Sequence, residues 1–173
     1  MEFYVVDAKE MTSILKRRKF DIILMIWTSV LGYYIDEHVD IEILKQCRAL
    51  CKDAGYLFIL NTANRDLIAL RHSMMCMPPV YEEADDIAII ETPKFNPETS
   101  VIENTWRFYK KLESGDLKFI SHVSFRFRVY SLHELIRLAD AAGWEYVEAY
   151  KSPYTLEPFI PSFSGLNVIF KAK

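Results

Sequence analysis

Glycine is scarce. The chain has five in 173 residues, at Gly32, Gly55, Gly115, Gly143 and Gly165, and no two stand close enough to form a G-x-G. That excludes the glycine-rich turn that cradles a dinucleotide's phosphates, and with it a nicotinamide-dependent oxidoreductase site within these residues. Cysteine is scarcer still. Cys47, Cys51 and Cys76 are an odd number with no C-x-x-C or Cys/His spacing, so neither a disulfide framework nor a metal site is expected. Free thiols point to a reducing, cytoplasmic setting. No apolar run approaches the roughly 18–20 residues that a membrane-spanning helix requires. Met1-Glu2-Phe3-Tyr4 opens a strand-like run and not the charged start of a signal peptide. Neither sign of charge dominates: the net charge is −3, with no concentrated basic stripe, so a nucleic-acid partner is not expected.

What is present is apolar and aromatic. Half the residues are hydrophobic, with eleven Phe and ten Tyr, enough for one domain with a sizeable core. A strand is predicted at 2–6, a short helix at 9–18 and a strand at 21–26, where FDIILMIW reads as buried on both faces. A helix over 37–54 carries Ile41, Leu44, Cys47 and Cys51 on one face, with Gly55 at its left-handed end. The run 56–60 is a second continuous apolar strand. Strand, helix, strand in this order predicts a right-handed parallel crossover, hence an α/β fold.

The pattern then changes. From about 84 to 130 the chain reads as an inserted antiparallel meander, with strands at 87–95, 101–111 and 117–130. In the last, Leu117, Phe119, Val123, Phe125, Phe127 and Val129 are expected on one face. Lys118, His122, Arg126 and Arg128 are expected on the other, as a solvated row. His72 reads as a packing or surface residue. Ser131 and Glu134 form a capping box opening a helix with an inward stripe of Leu135, Leu138, Ala139 and Ala142, closed by Gly143. Two strands follow, at 144–150 and 166–171, around an aperiodic loop at 152–164.

Several short segments, taken in order, resemble the class I S-adenosylmethionine-dependent methyltransferases. FYVVDA at 3–8 resembles the strand end that reads adenine. FDIILMIWT at 20–28 resembles the strand bordering the sulfonium. LCKDAGYLFIL at 50–60, Asn64-Arg65-Asp66, and YSLHELIRLADAAGWEYVEAY at 130–150 resemble later parts of members with an antiparallel insertion. The resemblance implies one domain over 1–173, with a partial Rossmann-like sheet, mixed but mostly parallel. It implies S-adenosylmethionine held by Asp7, Ala8, Ile26, Trp27 and Thr28, and a small-molecule acceptor near Tyr33, Tyr34, Asn64 and Arg65. The physical reading agrees, because open α/β sheets bind ligands at the carboxyl ends of their strands. A sulfonium suits an aromatic neighbour such as Trp27, Tyr33 or Tyr34. Methyl transfer needs alignment more than acid–base help, and no catalytic residue is assigned.

The resemblance also implies a glycine-rich first βαβ segment of roughly 30 or more residues, which these residues do not contain. In the family's strand order, 3-2-1-4-5-7-6, those strands lie between 2–6 and 21–26. A homodimer or a complementing N-terminal half is therefore expected along the edge of 21–26. The alternative expectation is a non-catalytic subunit or remnant of the same fold.

Overall fold

The computed structural model describes residues 2–16, 18–27, 30–75 and 77–173. A single 3₁₀ turn, Ala8–Glu10, leads into α1 (Met11–Leu15) and β1 (Phe20–Ile26). Then come α2 (Glu37–Leu50), β2 (Cys51–Thr62) and α3 (Arg65–Met75). The insertion is β3 (Val80–Ala84), β4 (Ile87–Asn96), β5 (Val101–Lys111) and β6 (Leu117–Arg128). The chain continues with α4 (Leu132–Ala141), β7 (Trp144–Ser152), β8 (Thr155–Pro158) and β9 (Leu166–Ala172).

The strands form two sheets, β1-β2-β9-β7-β8 and β3-β4-β5-β6. In the first, only β1 and β2 pair in parallel; β9 lies antiparallel to both β2 and β7. The sheet is mixed as expected, but most of its pairings are antiparallel, because β9 is inserted between β2 and β7. The order β1-β2-β9-β7 reproduces the 4-5-7-6 portion of the implied arrangement. The second sheet is wholly antiparallel, and β3 extends the meander beyond its expected start near 84.

Helices cover one face of the first sheet. Ile43, Leu44, Leu57, Ile59, Leu135, Leu138, Trp144, Val168 and Phe170 form its core between α2, α4 and the strands. The opposite face is open. Ile22, Leu24 and Ile26 are 54%, 57% and 44% exposed, so β1 is not buried on both faces; Met25 alone in it is buried. Residues 2–6 form no strand. They pair with no strand among the described residues, and Phe3 and Val5 project into solvent.

Local chemistry explains the remaining boundaries. The Asp36 side chain caps α2 by accepting from the His38 N–H at 2.9 Å. The helix stops at Leu50 and not at 54, because Cys51 is already extended (φ −90°, ψ 146°). Gly55 is no helix terminator: it lies inside β2, where an added Cβ would sit 2.7 Å from the Asp21 carbonyl oxygen. Its missing side chain permits the close approach of β1. The capping box at Ser131 and Glu134 is present, and Gly143 closes α4 at φ +90°. The 152–164 stretch holds the short strand β8, paired with β7. A bulge at Ile120 flips the end of β6, so Tyr109 faces Phe119 while Phe108 faces Ser121. Leu117 and Phe119 therefore share a face with His122, and not with Phe125 as the simple alternation predicts.

Candidate functional site

The loop after β1 is bolted from two sides. The Gly32 N–H donates to both carboxylate oxygens of Asp40 at 3.0 Å. The Gly32 carbonyl accepts the Arg128 N–H at 2.9 Å. Gly32 has φ +88°, and a Cβ there would lie 2.0 Å from the Arg128 carbonyl oxygen, so only glycine fits. Asp40 is fully buried on the inner face of α2 and also accepts the Tyr130 hydroxyl at 2.5 Å. Burial pushes the Asp40 carboxyl above its ordinary range, against the pull of Tyr130, the Gly32 N–H and Arg128. Burial likewise raises the Tyr130 phenol, with the Asp40 hydrogen bond adding to it.

Fixed this way, the loop presents two exposed tyrosines. The Tyr34 hydroxyl donates to the Asp7 carboxylate at 3.2 Å, and the Lys9 ammonium sits 4.6 Å from the centre of the Tyr34 ring. Asp7 also accepts the Lys9 N–H at 2.9 Å, capping the 3₁₀ turn. That backbone hydrogen bond is the largest influence holding its carboxyl below the usual range, with Lys9's charge and Tyr34 assisting. Val6, Asp7, Ala8, Val30, Tyr33 and Tyr34 line one cleft of about 400 Å³. Tyr33 stacks on Phe127 of β6, ring centres 5.5 Å apart.

The other expected site residues divide. Ile26 and Trp27 stand exposed at the carboxyl end of β1, where the Trp27 N–H bonds the Leu60 carbonyl at 2.9 Å, but they do not line this cleft. Thr28 lies outside the described residues. Asn64 does not face an acceptor. It is 1% exposed, and its amide donates to the Pro161 and Ser164 carbonyls at 2.9 and 2.8 Å while accepting the Asp66 N–H at 3.0 Å. Every polar atom of that side chain is engaged in holding α3 to the 161–164 segment. The Arg65 guanidinium, half-buried, reaches Ser100 and Asp66.

Arg128 is no member of a solvated row. It pairs with Glu37 at 2.5 Å and Glu134 at 3.6 Å and stacks on Tyr130, tying β6 to α2 and α4. Sequence reasoning passed over the Gly32–Asp40–Tyr130–Arg128 cluster. One signal was available: Asp40 falls on the apolar stripe of α2, beside Ile43 and Leu44, where an unpartnered carboxylate is costly. His72 packs edge-on against Phe95, in keeping with its expected packing role.

The sequence matches no protein-family model and no curated protein. Solved structures do match. An S-adenosylmethionine-dependent methyltransferase from Clostridium acetobutylicum superposes with TM-score 0.73 and 13% identity, over 98% of this chain and 63% of that one. The CcbJ methyltransferase from Streptomyces caelestis gives 0.70 and 17%, over 91% and 59%. CalS10, an amino pentose methyltransferase from Micromonospora echinaspora, gives 0.61 and 9%, over 97% and 63%. This chain thus spans under two thirds of the length of each. Across nearly all of its own length it has the fold of these methyltransferases.

Proposed function

We propose that this chain is part of an S-adenosylmethionine-dependent methyltransferase acting on a small-molecule acceptor. One observation carries the reading. In a chain with the methyltransferase fold, Asp7, Ala8, Tyr33 and Tyr34 gather in a single cleft beside the loop that follows β1. Asp7, held anionic, accepts from the exocyclic amine of adenine. The Ala8 N–H donates to a ring nitrogen, and Tyr34 flanks the base. Trp27 and Ile26, at the carboxyl end of β1, exclude water from the region beyond it. When bound, the cofactor supplies an electrophilic methyl on a sulfonium. The fit covers the base only: Asp7 is the single carboxylate among the residues lining the cleft, so ribose and methionine lack counterparts there.

The remainder of the site is supplied by a second copy or a complementing half that adds strands along the free edge of β1 and covers Ile22, Leu24 and Ile26. The unmatched third of the related structures supports this. The setting is cytoplasmic, which suits the buried free thiols of Cys47 and Cys51; burial pushes the Cys47 thiol up to about 12. No helix of the described residues is long and apolar enough to cross a membrane.

Titration calorimetry with S-adenosylhomocysteine tests the proposal. Binding is expected, and Asp7→Ala weakens it about tenfold through loss of a charge-assisted hydrogen bond. No heat with the chain alone, and none after a complementing half is added, rejects the enzyme. In that event the open face of β1 favours the second reading, a non-catalytic subunit that uses this fold for association.

A further inference from the structure

The margin between α3 and the antiparallel sheet carries a second cavity, apart from the cleft at Asp7. Its origin is local. β3 pairs with β4 only as far as Val80–Glu91, and Pro93 stands two residues beyond, with no N–H to carry the ladder on. The backbone before Val80 leaves the sheet here and runs back toward α3 through Pro78 and Met77. α3 turns Ile68 and Ala69 onto the cluster around Phe95, and His72 meets the Phe95 ring edge-on at 5.7 Å. Arg71, three residues after Ile68 and so its neighbour on the helix surface, is left at the rim. Arg71, Met77, Pro78, Val80 and Pro93 together line about 340 Å³. Solvent reaches it: Arg71 and Pro78 are exposed, and Val80 is 43% exposed.

Four of these five residues are apolar, and the fifth is a cation without an answering charge. The Arg71 guanidinium makes no hydrogen bond, ion pair or ring contact among the described residues. Carboxylates on the flanking elements are committed elsewhere or do not reach it. Asp66 pairs with Arg65 at 3.4 Å. Glu91 accepts the Asn104 amide at 3.0 Å, which turns it toward β5, and Glu83 pairs with Lys111. Glu82, two residues past Val80, forms no ion pair with Arg71. Met77 adds a further sign: it holds φ +46° directly before a proline. A bulky residue rarely adopts that conformation, and such strain gathers at ligand clamps.

We propose that this cavity binds a small apolar carboxylic acid. The Arg71 fork takes the carboxylate, and Met77, Pro78, Val80 and Pro93 surround the hydrocarbon body. A planar carboxylate matches one guanidinium through two parallel hydrogen bonds. A phosphate dianion brings a second charge and further oxygens, for which these walls offer no donor. A neutral hydrocarbon fills the walls and leaves Arg71 unused. The volume lies at the low end of the roughly 300–1,000 Å³ usual for small-molecule sites. The body is therefore one ring with a short chain, against which the flexible Met77 thioether adapts. Nothing in this argument rests on S-adenosylmethionine.

Methionine-methyl NMR reads the site directly, because Met77 is in its wall while Met11 and Met25 belong to the core of the first sheet. Met77→Leu assigns the signal. Titration with 4-phenylbutyrate is expected to shift Met77 saturably and to leave Met11 and Met25 in place. The same body without the charge, 4-phenylbutan-1-ol, binds about tenfold more weakly, and acetate, the charge without the body, does not saturate. Arg71→Gln lowers the acid to the alcohol's affinity and leaves the alcohol unchanged. Thermal melting of that variant stays as in wild type, since Arg71 holds no other element. Equal binding of acid and alcohol, no saturable shift, shifts that spare Met77, or an Arg71→Gln variant that binds the acid as wild type does each overturn the site. S-adenosylhomocysteine titrated into the same sample reports on the proposed function alone, so the two ideas stand or fall separately.

Discussion

At Asp40 two donors, the Gly32 N–H and the Tyr130 hydroxyl, meet one buried carboxylate. The arrangement sets where Tyr33 and Tyr34 stand, because Gly32 immediately precedes them and cannot move without breaking contact with Arg128. Tyr130→Phe tests it. Losing one donor to a buried acceptor costs about 1–3 kcal/mol. The cost has a definite pH dependence. Burial already raises the folded-state Asp40 pKa above its ordinary 3.8, and the Tyr130 hydrogen bond opposes that rise. Without the phenol the folded pKa climbs further, so the native state holds the proton more tightly than the unfolded chain does. Stability then falls as pH rises from the ordinary carboxylate range through the folded value. Urea midpoints of the variant and wild type should therefore lie closer together at pH 5 than at pH 8. A gap that is constant or narrows toward high pH contradicts the ionised form of Asp40 as the group being held.

Elements differ in how far local sequence determines them, and α4 is the most self-sufficient. Ser131 and Glu134 satisfy each other's backbone N–H groups, and Leu135, Leu138 and Ala139 make an unbroken inward stripe. Ser131→Ala is expected to lower stability by about 1 kcal/mol, read as a shift in urea midpoint with unchanged slope. α4 was legible because its start, face and end are all encoded within a dozen residues. The same holds for the turns at 96–99 and 114–116, hence for most of the meander. What local pattern could not supply was the neighbour. Residues 2–6 and β1 have the apolar runs of covered strands, yet burial depends on what lies alongside, and those runs do not state it. Gly55 misled for a related reason: a glycine after a helical stripe and one needed for close strand approach look identical until Asp21 is seen beside it. The bulge at Ile120 is invisible to simple alternation because the two readings differ by one residue. Asp7 and Ala8 were read as the end of a strand that does not form, yet with Tyr33 and Tyr34 they line one cleft. Asn64 was misassigned since nothing in a single residue reveals that its amide is satisfied by carbonyls a hundred positions away.

The whole molecule is asymmetric about its first sheet. Helices and a packed core occupy one side; the other side shows Ile22, Leu24 and Ile26 at roughly half exposure, with the outer edge of β1 unpaired among the described residues. Tyr154 and Leu156, more than four-fifths exposed, add to the apolar exposure near the far end of the same sheet. Parallel strands with continuous apolar runs are ordinarily covered on both faces, and an exposed apolar edge is a template for pairing. The proposed function, in its second-copy form, expects self-association through this side. Multi-angle light scattering across a dilution series is expected to give a mass above that of one chain, decreasing as concentration falls. Leu24→Glu should return the protein to the mass of a single chain. The substitution separates association from folding: Leu24 is more than half exposed, so a charge there alters the stability of the isolated chain by no more than about 0.5 kcal/mol, whereas in a dry sheet-to-sheet contact it is left unpaired and strongly unfavourable. A wild-type chain that holds the single-chain mass at every concentration removes β1 as an interface between copies and leaves a complementing half as what its open edge receives.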